Sequence, residues 1–284
     1  MNTAFPIVHD CFTYNGEDDL LWLRLETLKT VVHRVVIAEA TRTFTGAPKK
    51  LRFDIKKFPD HASRIEYIVV DDLKSNPISA WENEFHQRNA LARSLVEGVD
   101  GFLPDYHWIV LSDVDEIPRP EAIQRFQPNR YISALLAQRH YCYTFNNMVV
   151  SEGASFPWWR RVRITTVGQL RNWFGSLQSL RDYRATGPFR SVSRLWNRAR
   201  TQNIDDAGWH FAYLMTPEQI IEKLNAFSHQ EFNVPEIANL SHIRRCLDER
   251  RDIFGNGKFN VVPLDESFPK PLIANRERFA HLIL

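Results

Sequence analysis

Cysteine is scarce in this chain: three residues in 284, Cys11, Cys142 and Cys246, widely spaced and in no paired motif. That excludes a disulfide-stapled scaffold and suits a reducing compartment. Long apolar runs are missing too, none approaching the ~20 residues of a membrane span, and no charged-then-apolar leader opens the chain. A cytoplasmic protein is the expectation, with peripheral contact at the inner face of a membrane left open. Net charge is small, +2 at pH 7, which argues against a wholesale nucleic-acid coat. With neither internal repeats nor low-complexity linkers, one composite domain over residues 1–284 is expected.

What is present is ordinary in bulk and uneven in detail. A hydrophobic fraction of 44% and a charged fraction of 25% suit a soluble globular protein. Ile7–Thr13 reads as a strand, Glu17-Asp18-Asp19 opens a helix with acids in its first turn, and Arg34–Ala40 reads as a second strand. This β-α-β opening predicts a parallel pair with a right-handed crossover. Arg64–Val70 reads as a third strand, Ser79–Val96 as a helix and Trp108–Leu111 as a fourth strand, the alternation of a doubly wound α/β sheet. After Glu121 the pattern changes. Gln138–Phe145, Arg160–Thr166, Ser191–Trp196 and Trp209–Leu214 read as strands without regular helices between them, which predicts antiparallel additions. Helices are expected over Pro217–Phe227 and Pro235–Phe254, and a short strand at Val261-Val262.

The stretch His107–Pro118, HWIVLSDVDEIP, is the most informative. A buried strand explains its apolar half, but not Asp113, Asp115 and Glu116. Carboxylates at the end of a core strand repel one another unless a cation or proton sits among them. Strand ends of this kind are also where open α/β sheets bind ligands. Asp113 and Asp115, two residues apart in extended chain, point the same way and can grip one hard divalent ion. An ordinary polar loop is the competing reading. Two metal-using chemistries fit: a phosphohydrolase of the haloacid-dehalogenase type, with Asp113 as nucleophile, or a clamp on a metal–diphosphate. The first usually carries its motif on the first strand, and here ~110 residues precede it.

Taken in order, DCFTYNGEDDLLWLRLETL, VVIAEATRTFTG, QRNAL, LSDVDEIP and DAGWHF resemble glycosyltransferase family 17 over roughly residues 8–230. The resemblance implies a GT-A fold: a Rossmann-like, mostly parallel sheet with helices on both faces and antiparallel additions in the C-terminal half. It implies a UDP-sugar donor, UDP-GlcNAc above others, with Mn²⁺ or Mg²⁺ and inversion at the anomeric carbon of the sugar passed to a glycan acceptor. Residues 1–120 would form the nucleotide-binding half and 121–284 the acceptor-binding half. Asp113 and Asp115 fall on the metal-binding acid pair, Asp115 holding the ion directly and Asp113 leaning towards ribose or metal-bound water, with Glu116 in support. His210 is the expected third metal ligand, with His229 as the alternative. Glu39, Arg42 and Thr43 sit where such folds hold the nucleoside, though a plain polar turn would look the same. Arg88 and Asn89 match a pair aimed at the nucleotide, against a solvated helix face. Asp206 is the expected general base, with Asp205 and Glu152 as alternatives.

Between Trp158 and Arg200 lie ten arginines and one acid, Asp182. With Trp158, Trp159, Trp173 and Trp196 they suit an anionic glycan acceptor, or a surface salt-bridged to acids elsewhere; nucleic acid is the weaker reading. Lys223, Arg244, Arg245 and Lys258 are further cations available to a diphosphate. A phosphohydrolase and a non-catalytic nucleotide-sugar-binding or glycan-binding protein are the other classes.

Overall fold

The structure is a computed structural model that describes residues 6–97, 101–150, 158–183, 199–255 and 257–284. Its centre is a run of four parallel strands in the order β6-β1-β2-β3, namely Trp108–Asp113, Val8–Thr13, Arg34–Ala40 and Ile65–Val70. Alternate residues of these strands supply two cores. Val8, Phe12, Val35, Ile37 and Val110 face helix α1 (Asp18–Leu28) through Leu21, Leu25 and Leu28. Cys11, Val36, Ala38, Ile109 and Leu111 face the other way, onto Leu91 and Leu95. Burial on both faces is why β2 and β6 read as nearly continuous apolar runs.

The predicted helix over Ser79–Val96 is shorter than its pattern. Helix α2 spans Ala80–Ala90 and tightens into a 3-10 turn at Leu91–Leu95 before a hairpin of β4 (Val96–Glu97) and β5 (Gly101–Phe102). The C-terminal half adds antiparallel strands, as expected. β10 (Trp159–Thr166) pairs antiparallel with β6 and with β8 (Ser133–Cys142). β8 also meets β9 (Asn147–Val150), β11 (Thr201–Ile204) and β12 (Gly208–Ala212), and β9 carries β13 (Lys258–Val261). β7 (Glu116–Pro118) pairs only with β12 among the described residues. Among the described residues the further α-helices are α3 (Pro120–Gln124), α4 (Val167–Gln169), α5 (Leu177–Arg181), α6 (Pro217–Ala226), α7 (Leu240–Asp248) and α8 (Lys270–Ala274). α6 starts at a full capping box on Thr216 and Gln219. The helix expected over Pro235–Phe254 begins only where Asn239 caps α7, and the strand expected over Ser191–Trp196 lies outside the described residues. No described helix is long and apolar enough to cross a membrane.

Two buried polar features brace the sheet. Arg24 of α1 is fully buried against it, its Nε donating to Asp10 Oδ2 at 2.7 Å and its Nη2 to Asp10 Oδ1 at 2.6 Å. At the amino ends of β1 and β6, His9 and His107 stack, with Nε2 3.1 Å from Nδ1. Burial, then the His107, Arg34 and His33 charges, lower the His9 pKa to about 4.

Arg24→Met should cost about 3–5 kcal/mol in chemical denaturation, because it strands the Asp10 carboxylate; the double variant with Asp10→Leu should recover much of the loss. Below its ordinary pKa the unfolded His9 binds a proton that the folded protein refuses. Stability should therefore fall as pH drops from ~6.5 towards ~4, by up to ~1.4 kcal/mol per unit for this group. His9→Gln should flatten that slope.

Candidate active site

Strand β6 delivers Asp113 to the carboxyl end of the parallel sheet, and three residues later the chain enters β7 at Glu116. Arg24 holds this turn from one face. Its Nη1 donates to the carbonyls of Asp113 (3.1 Å), Val114 (3.4 Å) and Glu116 (2.9 Å), and its Nη2 to Ser112 Oγ at 2.6 Å. Arg181, on α5, holds it from the other. Its guanidinium donates to both Glu116 oxygens at 2.6 and 2.7 Å and to Asp113 Oδ2 at 2.8 Å. Glu116 is fully buried and also accepts the Trp159 indole N–H at 2.5 Å and the Asp113 backbone N–H at 2.9 Å. With its lone pairs occupied in this way, it is a post for the turn.

Arg88 and Asn89 serve the same arrangement. Arg88 donates to Gln178 Oε1 at 2.5 Å, to Glu84 Oε1 at 2.7 Å and to Asp113 Oδ1 at 3.4 Å. Asn89 Oδ1 accepts the Gln178 N–H at 2.9 Å, satisfying an orphan donor in the first turn of α5. The pair thus fastens the helix that carries Arg181. Burial alone would raise the Asp113 pKa, but the Arg181 and Arg88 charges hold it well below the carboxylate range.

Asp115 faces different groups. His210 Nε2 lies 3.8 Å from its Oδ1 and Lys223 Nζ, from α6, 4.0 Å from its Oδ2. Against the cost of burial, His210 and then Lys223 lower its pKa, and Asp115 in turn raises the pKa of the half-buried Lys223. The His210 ring is clamped between Trp159, 4.2 Å away at 24°, and His140, 4.6 Å away at 20°. Burial and the neighbouring His210 push the His140 pKa down to about 2, so His140 is neutral. His210 Nδ1 is buried without a hydrogen-bond partner among the described residues. The Gly-Trp-His run has a steric basis as well. Gly208 has φ +144°, and a Cβ there would meet the Ile117 carbonyl oxygen at 2.2 Å, so only glycine lets β12 lie against β7 and bring His210 to the turn.

The other expected site residues are placed elsewhere. Glu39 is fully buried and accepts from Lys49 Nζ (3.0 Å), the Arg52 N–H (2.8 Å), the Phe53 N–H (3.0 Å) and Tyr67 Oη (2.9 Å), so it anchors the loop after β2. Arg42 donates to the Gly46 carbonyl at 3.1 Å, and Thr43 Oγ1 accepts the Ala47 N–H at 3.0 Å, both within that loop. Asp206 lies at the far end of β12 from the turn, up to roughly 13 Å along an extended chain from His210. Its carboxylate takes Arg139 Nε at 2.9 Å and Arg119 Nη2 at 3.4 Å. Asp205 pairs with Arg160, and Glu152 is outside the described residues. His229 is half-exposed and pairs with Glu231 rather than approaching Asp115. Arg244 pairs with Glu218.

Arg24 and His140 carry no sequence signal, while Trp159 and Arg181 belong to the tryptophan- and arginine-rich segment read for an acceptor and sit instead at the acidic turn. For Arg181 the signal was available: three acids at a core strand end need a cation, and a run of arginines follows. Within that run Arg160, Arg161 and Arg171 pair with Asp205, Asp182 and Asp105, the salt-bridged surface that was the alternative reading. Arg184, Arg190, Arg194, Arg198 and Trp196 lie outside the described residues.

Three solved structures are similar to the chain in outline. They are a 4-diphosphocytidyl-2C-methyl-D-erythritol synthase (12% identity, 76% of this chain and 95% of that one, TM-score 0.38) and the galactosyltransferase LgtC in complex with donor and acceptor sugar analogs (9%, 69% and 72%, 0.33). The third is the glucosyl-3-phosphoglycerate synthase of Mycobacterium tuberculosis in complex with Mn²⁺, UDP and phosphoglyceric acid (11%, 94% and 91%, 0.37). A comparison with curated protein sequences finds no match. The family signature of glycosyltransferase family 17, in contrast, matches residues 2–279. That span takes in the braced acidic turn, the Arg88-Asn89 pair and the Gly-Trp-His strand together, and the chain belongs to glycosyltransferase family 17.

Proposed function

We propose that this glycosyltransferase transfers N-acetylglucosamine from UDP-N-acetylglucosamine to a glycan hydroxyl with inversion, using a divalent ion held at Asp115. The observation that carries the reading is the arrangement of Asp115, His210 and Lys223 at the carboxyl end of β6. At 3.8 Å the facing Asp115 and His210 atoms are too far apart to bond each other. They are close enough to share one ion, since two bonds of ~2.1 Å span up to ~4.2 Å. Among the described residues no three His, Cys, Asp or Glu side chains converge as a complete metal site. Two protein ligands suit Mn²⁺ or Mg²⁺ that arrives with a diphosphate, because such ions fill their other positions with phosphate oxygens and water. When bound, the ion would neutralise charge on the departing UDP. Lys223 adds a second positive charge beside it, fixed on the helix that closes this side of the turn.

In this reading Asp113 assists without holding the ion alone, its carboxylate oriented by Arg181 and Arg88 towards ribose or metal-bound water. The same contacts disfavour a phosphohydrolase, whose Asp113 nucleophile would have to leave two guanidinium groups to attack. Glu39, Arg42 and Thr43 then act on the nucleoside by shaping the loop after β2, and Arg88 and Asn89 by positioning α5.

Calorimetric titration tests this directly. Wild type should bind UDP at least tenfold tighter with Mn²⁺ than without, and Asp115→Ala or His210→Ala should abolish the difference. Lys223→Met should weaken UDP with and without the ion by a similar factor, because its charge acts on the diphosphate itself. UDP binding that ignores both Mn²⁺ and the Asp115→Ala change would sink the proposal.

A further inference from the structure

We infer that the cleft between the β1–α1 turn and α6 is the acceptor subsite, shaped for an uncharged, hydroxyl-rich pyranose, and that Glu17 takes the acceptor proton. This rests on the donor reading above and extends it to the second substrate. The cleft measures about 350 Å³ and is lined by Asn15, Glu17, Leu214, Met215, Gln219 and Lys223 among others. Its size is at the small end for ligand clefts, right for a sugar ring rather than a long chain. β1 lies beside β6 and parallel to it, so the turn after β1 opens at the same sheet edge as Asp113 and Asp115. Lys223 joins the two places, lining the cleft and standing 4.0 Å from Asp115.

The charges of the cleft single out one carboxylate. Glu222 is paired with Arg52, Asp18 with Lys57, and Asp19 with Arg278 and His281. Glu17 has no ion-pair partner among the described residues. Its Oε2 accepts the Asn15 N–H at 2.8 Å, and no other described residue hydrogen-bonds its Oε1. A carboxylate with one oxygen fixed and one uncommitted is suited to accept a hydroxyl proton. Burial raises the Glu17 pKa, the direction a proton acceptor needs, while Lys223 opposes the rise. Glu17 also accounts for the neutral ring, since an unpaired carboxylate accepts from sugar hydroxyls and repels an acidic sugar. Asp206 cannot compete for this task while Arg139 and Arg119 occupy it.

The step balances. As the acceptor oxygen bonds to the anomeric carbon, its proton passes to Glu17 Oε1. The bond from that carbon to the diphosphate breaks, and its electron pair leaves on the UDP oxygen beside Lys223.

The test uses the full chain, UDP with Mn²⁺, and four probes: the methyl β-glycosides of glucose, galactose, N-acetylglucosamine and glucuronic acid. Saturation-transfer NMR should show the neutral glycosides in contact with the UDP-loaded protein and the glucuronide at least fivefold weaker. Met215→Trp, which fills the cleft, should cut those contacts at least fivefold and leave UDP affinity within twofold. Glu17→Gln keeps an acceptor for the Asn15 N–H. It should lower glycoside-stimulated UDP release from UDP-N-acetylglucosamine at least 100-fold, remove the acidic limb of the kcat–pH profile, and leave UDP affinity unchanged. Wild type that binds no UDP overturns the donor reading itself. Wild type that binds UDP but contacts none of the glycosides, or contacts that survive Met215→Trp or favour the glucuronide, overturn the acceptor subsite alone. Absence of glycoside-stimulated release in wild type, or Glu17→Gln within threefold of it, overturns the assignment of Glu17.

Discussion

Everything at the candidate site depends on two buried guanidinium groups closing on one acidic turn from opposite sides of the sheet. Arg24 takes the carbonyls of residues 113, 114 and 116, and Arg181 takes the carboxylates of Asp113 and Glu116. Buried ion pairs of this kind add little net stability, because desolvation offsets the attraction. What they supply is geometry. Planar forks with several donors hold a turn that would otherwise spring open under three like charges. The result is a division among the acids: Glu116 is consumed as a post, Asp113 is oriented, and Asp115 alone faces His210 and Lys223.

The second constraint is how the later strands reach the first. β12 returns to pair with β7 and β8, and Gly208 permits an approach that any side chain would block. That closure brings a histidine from position 210 to an aspartate at position 115 and seats its ring between Trp159 and His140. α6 then lies across the same edge, tied to the loop after β2 through Phe44 and Ala226 and to Arg52 through Glu222. One helix thereby touches the acidic turn, the loop after β2 and the cleft beyond β1.

Much of the scaffold was legible because it obeys local rules. Apolar runs bounded by turn residues located the four parallel strands to within a residue or two, and acids before Leu20-Leu21 located α1. The acidic turn and Gly-Trp-His stood out because burial alone accounts for neither. Legibility failed wherever a polar residue's partners lie far away in sequence. Glu39 looks like a ligand-binding carboxylate until Lys49, Arg52, Phe53 and Tyr67 are seen around it. Asp206 looks like a free base until Arg119 and Arg139 are seen beside it. The arginine-rich stretch is the same case in reverse, since its described members mostly answer acids that are remote in the chain.

The sequence by itself determined the class of fold, the family, and which short stretches carry unusual chemistry. Those follow from periodicity and composition, which act over a few residues, and from motifs in a fixed order. Only the tertiary structure decided which carboxylate is available and which is already spoken for. It turned the cation required by the acidic turn partly into an arginine of this chain, and it set Asp115 against His210 and Lys223. Charge compensation in a buried site is a property of neighbours in space, and here those neighbours lie from 65 to more than 100 residues apart along the chain.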